Sequence, residues 1–98
     1  MDSKTLAIAL ARALDARKAQ NIRVLKVEDL TTVTDYFVIA TGTSTTHVGA
    51  LADEADFALG RQGVNPLRTE GHDGKRWILL DYGSVIVHVF TKEAHDYY

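Results

Sequence analysis

Residues 76–82 and 85–90 constrain the fold more than any other part of the chain. With a period of two, the first stretch places Trp77, Leu79 and Asp81 on one face and Ile78, Leu80 and Tyr82 on the other. The second sets Val85, Val87 and Val89 opposite Ile86, His88 and Phe90. Both read as strands that are apolar on both faces, and the tight turn Gly83-Ser84 joins them. Such strands belong inside a sheet with something packed over each surface.

The rest of the chain supplies only part of that cover. Residues 2–17 read as a helix: Leu6, Leu10 and Leu14 recur every four positions, with Ile8, Ala9 and Ala13 widening the stripe. Asp2 or Ser3 can cap its start, and Arg17 and Lys18 suit the negative end of its dipole. Gln20 and Asn21 break the pattern, and residues 22–28 change to a period of two, with Ile22, Val24 and Lys26 on one face. A Thr-rich connection over residues 30–34 precedes the apolar run Tyr36-Phe37-Val38-Ile39-Ala40, which reads as a further strand covered on both faces. Thr41-Gly42-Thr43-Ser44 then turns the chain into a second helix over residues 45–61. Its buried stripe is Val48, Leu51, Ala52, Ala55, Ala58 and Leu59, and Gly60 or Gly63 ends it. An extended piece from Pro66 to Glu70 and a hairpin turn at residues 71–74 lead into the strand pair, and the tail from Lys92 can start a last helix.

This order implies an α/β fold: a two-layer domain spanning residues 1–98, with a mixed five-stranded sheet and two main helices. Two helices of about 17 residues cover roughly one face of five strands. The other face, near Trp77 and Leu79, is therefore expected to lack cover from the chain itself, and an uncovered apolar face marks a partner site.

Charge and composition narrow the choice of partner. The formal net charge is −2, with eleven basic residues dispersed among thirteen acids. An RNA-binding domain usually carries a basic stripe, or stacking aromatics in a recognisable pattern, so contact with a protein is favoured and little or no direct RNA contact is expected. There is no Cys to form a disulfide, bind a metal or act as a nucleophile. No apolar run is long enough to span a bilayer, and Asp2 precedes the first apolar residues where a secretory leader would be basic. The expectation is a cytoplasmic protein with no membrane contact.

Two long blocks carry a resemblance. The first is residues 35–44, Asp-Tyr-Phe-Val-Ile-Ala-Thr-Gly-Thr-Ser, followed by His47-Val48 and Ala52-Asp53-Glu54. The second is Glu70-Gly71, then Trp77-Ile78-Leu79-Leu80-Asp81-Tyr82-Gly83 and Val85-Ile86-Val87-His88-Val89-Phe90. In this order and spacing they resemble the ribosomal silencing factor (Iojap-like) family across nearly the whole chain. The resemblance implies a nucleotidyltransferase-like topology and a non-enzymatic protein that needs no cofactor. It further implies binding to protein fourteen of the large ribosomal subunit, which blocks subunit joining and represses translation. The chain departs from the family at Ser84, where members often carry an acid, which removes a charge from that turn. Members also usually continue past the Tyr97-Tyr98 region, so a contact made by their tail is not expected of this sequence.

The residues speak against other chemistries. Gly42-Thr43-Ser44 before a helix resembles a nucleotidyltransferase turn, but such an enzyme needs a pair of carboxylates on a nearby strand to hold Mg²⁺. Only Asp81 is well placed, with Leu79 and Gly83 beside it. His47, His72, His88 and His95 are scattered without metal-ligand spacing. A triad drawn from Ser44, His47 and Asp53 lacks an oxyanion hole. The candidate partner-binding residues are Trp77 and Leu79 at the centre, with Asp81, Tyr82, Gly83, His88, Thr43, Ser44 and His47 as rim contacts. A second copy covering the same patch would make a homodimer off the ribosome.

Overall fold

The computed structural model describes residues 1–30 and 32–97. Thr31 in the Thr-rich connection and Tyr98 at the end of the tail lie outside the described residues, as do the side chains of His95, Asp96 and Tyr97. Helix α1 (Ser3–Ala16) starts where the Asp2 carboxylate accepts the Thr5 N–H at 2.7 Å. That bond holds the Asp2 carboxyl below its usual proton affinity. The helix closes without a glycine. Lys18 takes φ 61°, and the Ala19 N–H reaches back to the Leu14 carbonyl at 3.1 Å, the pattern of a Schellman turn. The break therefore falls at residues 17–19, and strand β1 (Gln20–Lys26) begins two residues before the expected position. A bulge between Gln20 and Arg23, with Asn21 at φ 51°, absorbs the difference.

Strand β2 (Tyr36–Gly42) leads into helix α2 (Thr45–Gly60) through a turn with little room to spare. A side chain at Gly42 would collide with Val48 in the first turn of α2, so only glycine lets strand and helix approach this closely. Ser44 caps the helix, its Oγ accepting the His47 N–H at 3.1 Å. After Gly60 the chain reverses at Gly63 (φ 79°), where the Val64 N–H bonds the Leu59 carbonyl at 2.9 Å. Strands β3 (Arg68–Glu70), β4 (Trp77–Asp81) and β5 (Val85–Thr91) follow, and a short helix α3 (Lys92–Tyr97) ends the described chain.

The five strands form one sheet in the order β1-β2-β5-β4-β3. The β2–β5 pair is parallel and the three other pairs are antiparallel. The doubly apolar strands thus lie inside the sheet, with β5 at its centre. Val38, Ala40, Ile78, Leu80, Val85, Val87 and Val89 all point toward the helices, where they meet Leu6, Leu10, Leu14, Val48, Leu51 and Leu59 in one buried cluster. Both main helices cover this single face, as the strand and helix count required.

Two substitutions test the packing. Gly71, at φ 87° in the β3–β4 hairpin, lies against the backbone of Trp77, and a Cβ there would overlap the Trp77 carbonyl oxygen. Gly71→Ala is expected to cost about 2 kcal/mol or more, read as a lowered urea midpoint. Tyr82 is a core residue whose hydroxyl is buried with no hydrogen-bond partner among the described residues. Tyr82→Phe removes that unsatisfied group, so its thermal midpoint should equal or exceed that of the parent chain; a clear drop would show that the hydroxyl is bonded in solution.

Candidate functional site

The face of the sheet turned away from α1 and α2 follows from strand register. Leu25 of β1 pairs with Phe37 of β2, Phe37 with Ile86 of β5, and Ile86 with Asp81 of β4. One step along, Ile39 pairs with His88 and His88 with Leu79; beyond that, Thr41 pairs with Phe90 and Phe90 with Trp77. Three cross-strand rows of mostly apolar side chains therefore lie side by side. Leu25 and Trp77 at the two flanks are each 40% exposed, while Phe37, Ile39, Leu79, Ile86 and His88 are half-buried by one another.

Rings dominate the centre. His88 lies parallel to Phe90 with centroids 6.0 Å apart, Phe90 stacks on Trp77 at 5.2 Å, and Phe37 meets His88 edge-on at 5.3 Å. Contacts of this kind contribute about 0.5–1.5 kcal/mol each beyond burial, so the rings hold one another in place before any partner arrives. The Trp77 indole N–H donates to His88 Nδ1 at 3.2 Å. That bond needs an unprotonated Nδ1, which fixes the neutral tautomer with the proton on Nε2. Burial acts in the same direction and lowers the proton affinity of His88 below its ordinary value of 6.5.

Beside this aromatic group, Glu70, Gly71, Trp77 and Leu79 line a shallow pocket of about 260 Å³. Asp81 closes the lower edge. One of its oxygens accepts the Gly83 N–H at 2.8 Å, and the other lies 3.6 Å from Arg68 Nη2, so the carboxylate both braces the β4–β5 turn and forms a polar rim.

Trp77, Leu79, Asp81 and His88 thus share one face, and Gly83 shapes its edge. The other expected rim residues lie elsewhere. Tyr82 is on the helix side, where burial and the nearby charge of Asp56 push its phenol up to about 12, so it is a core residue and not a rim contact. The turn at residues 43–47 leaves the sheet at the end of β2 and bends toward the helices, with β5 between it and Trp77. His47 acts there as a staple: its Nδ1 accepts the Thr43 N–H at 2.9 Å, and its Nε2 donates to the Arg17 carbonyl at 2.8 Å. Both ring nitrogens are engaged within the chain, and Ser44 is used as the helix cap. Sequence reasoning did not assign Phe37, Ile39, Ile86 and Phe90 to this face. Their alternation was visible, but the β4–β5 register sets Ile86 and Phe90 beside β4, and only the pairing of β2 with β5 adds Phe37 and Ile39. Among the described residues, no three His, Asp or Glu side chains converge as a metal site would require.

The chain's likeness to known proteins bears on this face. The family described as "Ribosomal silencing factor during starvation" matches residues 1–98. A ribosomal silencing factor from Bacillus subtilis is 38% identical over 98 residues, covering 100% of this chain and 83% of the relative. A mouse protein named for mitochondrial assembly of the ribosomal large subunit is 32% identical over 91% of this chain and 40% of its own length. Among solved structures, a Chromobacterium violaceum protein superposes with a TM-score of 0.97 at 34% identity, covering 100% of this chain and 82% of that one. A sheet with one bare aromatic face, carried on a chain matched from its first residue to its last, is thus a member of the ribosomal silencing factor family.

Proposed function

We propose that the chain acts stoichiometrically in the cytoplasm by seating its open sheet face on protein fourteen of the large ribosomal subunit, so that the small subunit cannot dock. The carrying observation is the face itself: a rigid group of Phe37, His88, Phe90 and Trp77 with an adjoining pocket and a polar edge at Asp81. Large aromatic side chains at the centre of a patch, ringed by polar groups, are the usual anchors of protein interfaces. A net charge of −2 favours a basic protein surface over RNA phosphates, and family membership supports a role in ribosome silencing. No bond is made or broken in this mechanism. The domain works by occupying space. Off the ribosome, the same face closes between two copies; a monomer at high concentration in light scattering would remove that part of the proposal.

The first test is sedimentation of the purified chain with isolated large subunits, small subunits and joined ribosomes. Pelleting with large subunits alone, and fewer joined ribosomes once small subunits are added, is the expected result. Failure to pellet with large subunits would overturn the proposal. Within that assay Trp77→Ala should weaken binding by about 2 kcal/mol or more. Trp77 is 40% exposed but stacks on Phe90 and donates to His88, so the variant should stay folded and lose only about 1–2 kcal/mol of stability. A loss of about 3–5 kcal/mol of stability would instead mark it as a core residue.

Proton linkage supplies a second test. His88 binds a proton less readily folded than unfolded, so its stabilising contribution is complete above pH 6.5 and is lost as pH falls through that value toward the lower folded pKa. A partner covering the face desolvates the ring further, so affinity for large subunits should fall at lower pH still, as pH drops through the folded pKa of the free chain. His88→Gln should flatten both profiles, and an unchanged pH dependence of binding would place His88 outside the contact.

A further inference from the structure

The edge of the sheet formed by β1 has features the ribosome-facing surface does not use. Over residues 23–26 the strand pairs in unbroken register with β2, and no strand lies beyond it in the sheet order. Its outer backbone N–H and C=O groups therefore form an open edge, able to accept another strand. Helix α1 covers β1 incompletely. Between them runs an open groove of about 410 Å³ floored by Ile8, Ile22 and Val24, with Arg12 and Asp15 on its helix side. Ile8 and Val24 remain 38% and 41% exposed.

Charge separates this flank from the rest of the molecule. Six of the eleven basic residues, but only two of the thirteen acids, fall within residues 1–26, so the basic residues are less dispersed than their count suggests. Arg12, Lys18 and Arg23 are exposed and make no ion pair with the described residues. An added strand alternates its side chains. One set would enter the apolar groove beside Val24, and the other would lie next to Arg23 on the opposite face. A second copy of β1 fits poorly, because antiparallel pairing centred on residue 23 sets Arg23 directly against the same charge of the other copy. Nucleic acid would satisfy the cations but leave the apolar floor unused.

We infer that the α1–β1 edge docks an extended segment of a partner protein in which apolar residues alternate with Asp or Glu, added as a sixth strand beside β1. β2 and β5 lie between this edge and β4, so substitutions at Trp77 and at the edge can be read apart.

The test uses the ¹⁵N-labelled full chain titrated with an octapeptide alternating Glu and Val, its Lys–Val counterpart, and an oligouridylate. The Glu–Val peptide should bind saturably, shift the amides of α1 and β1, and slow hydrogen exchange over residues 23–26. The double variant Arg12→Glu, Arg23→Glu, shown to be folded by its melting curve, should weaken it about tenfold or more. Trp77→Ala should leave it unchanged, so this result is separable from ribosome binding. No saturable binding, equal binding of the Lys–Val peptide, or oligouridylate binding at the same amides would each overturn the proposal, the last in favour of an RNA contact.

Discussion

The parallel pairing of β2 with β5 is the constraint on which the rest of the structure depends. It places Val38 beside Val87 and Ala40 beside Val89 on one surface, and Phe37 beside Ile86 and Ile39 beside His88 on the other. Parallel neighbours cannot be joined by a tight turn, so the chain must leave β2, cross and return. Helix α2 lies within that crossover, and α1 packs alongside it on the same face. Every other strand pair is antiparallel, and among the described residues no long helix lies over the opposite face. An apolar surface is thus a consequence of topology, arising wherever doubly apolar strands outnumber the helices able to cover them.

The uncovered surface is made tolerable by order within it. Its aromatic rings bury one another, and the one polar ring, His88, is matched by the Trp77 indole and kept neutral. At the margins Arg68 and Asp81 give the patch a charged border. This resembles the interior of an interface with half its partners removed: apolar in the middle, polar at the rim. The edge strand is managed differently. A bulge and like charges along β1 discourage self-pairing, leaving an edge selective by charge.

The helix ends show where residue type alone is decisive. Ser44 before α2 and Asp2 before α1 are caps by chemistry, since each has an oxygen within reach of a free N–H. Gly63 supplies the left-handed turn after α2 as expected. The end of α1 falls where the pattern stops, but β1 starts two residues earlier than expected because Lys18 adopts a backbone conformation that Lys seldom takes and turns the chain at once. Tertiary contact over-determines it there: His47 donates to the Arg17 carbonyl, and Arg17 pairs with Glu54 at 2.9 Å.

The sequence by itself determined which residues are strands and helices, which side of each strand is apolar, and that two helices could cover only one face of the sheet. Periodicity is a local property, readable without knowing a strand's neighbours. It also placed Trp77, Leu79, Asp81 and His88 on the open side, because parity within one strand is enough for that. What only the tertiary structure decided is which rows meet. Phe90 meets Trp77 through the register of the β4–β5 hairpin, Phe37 joins them through pairing of strands more than forty residues apart in sequence, and Tyr82 lies in the core through the placement of α2. His47 became an internal staple because two distant backbone groups came within reach of its ring. Local pattern fixes the direction of a side chain, whereas its company depends on how the whole chain closes.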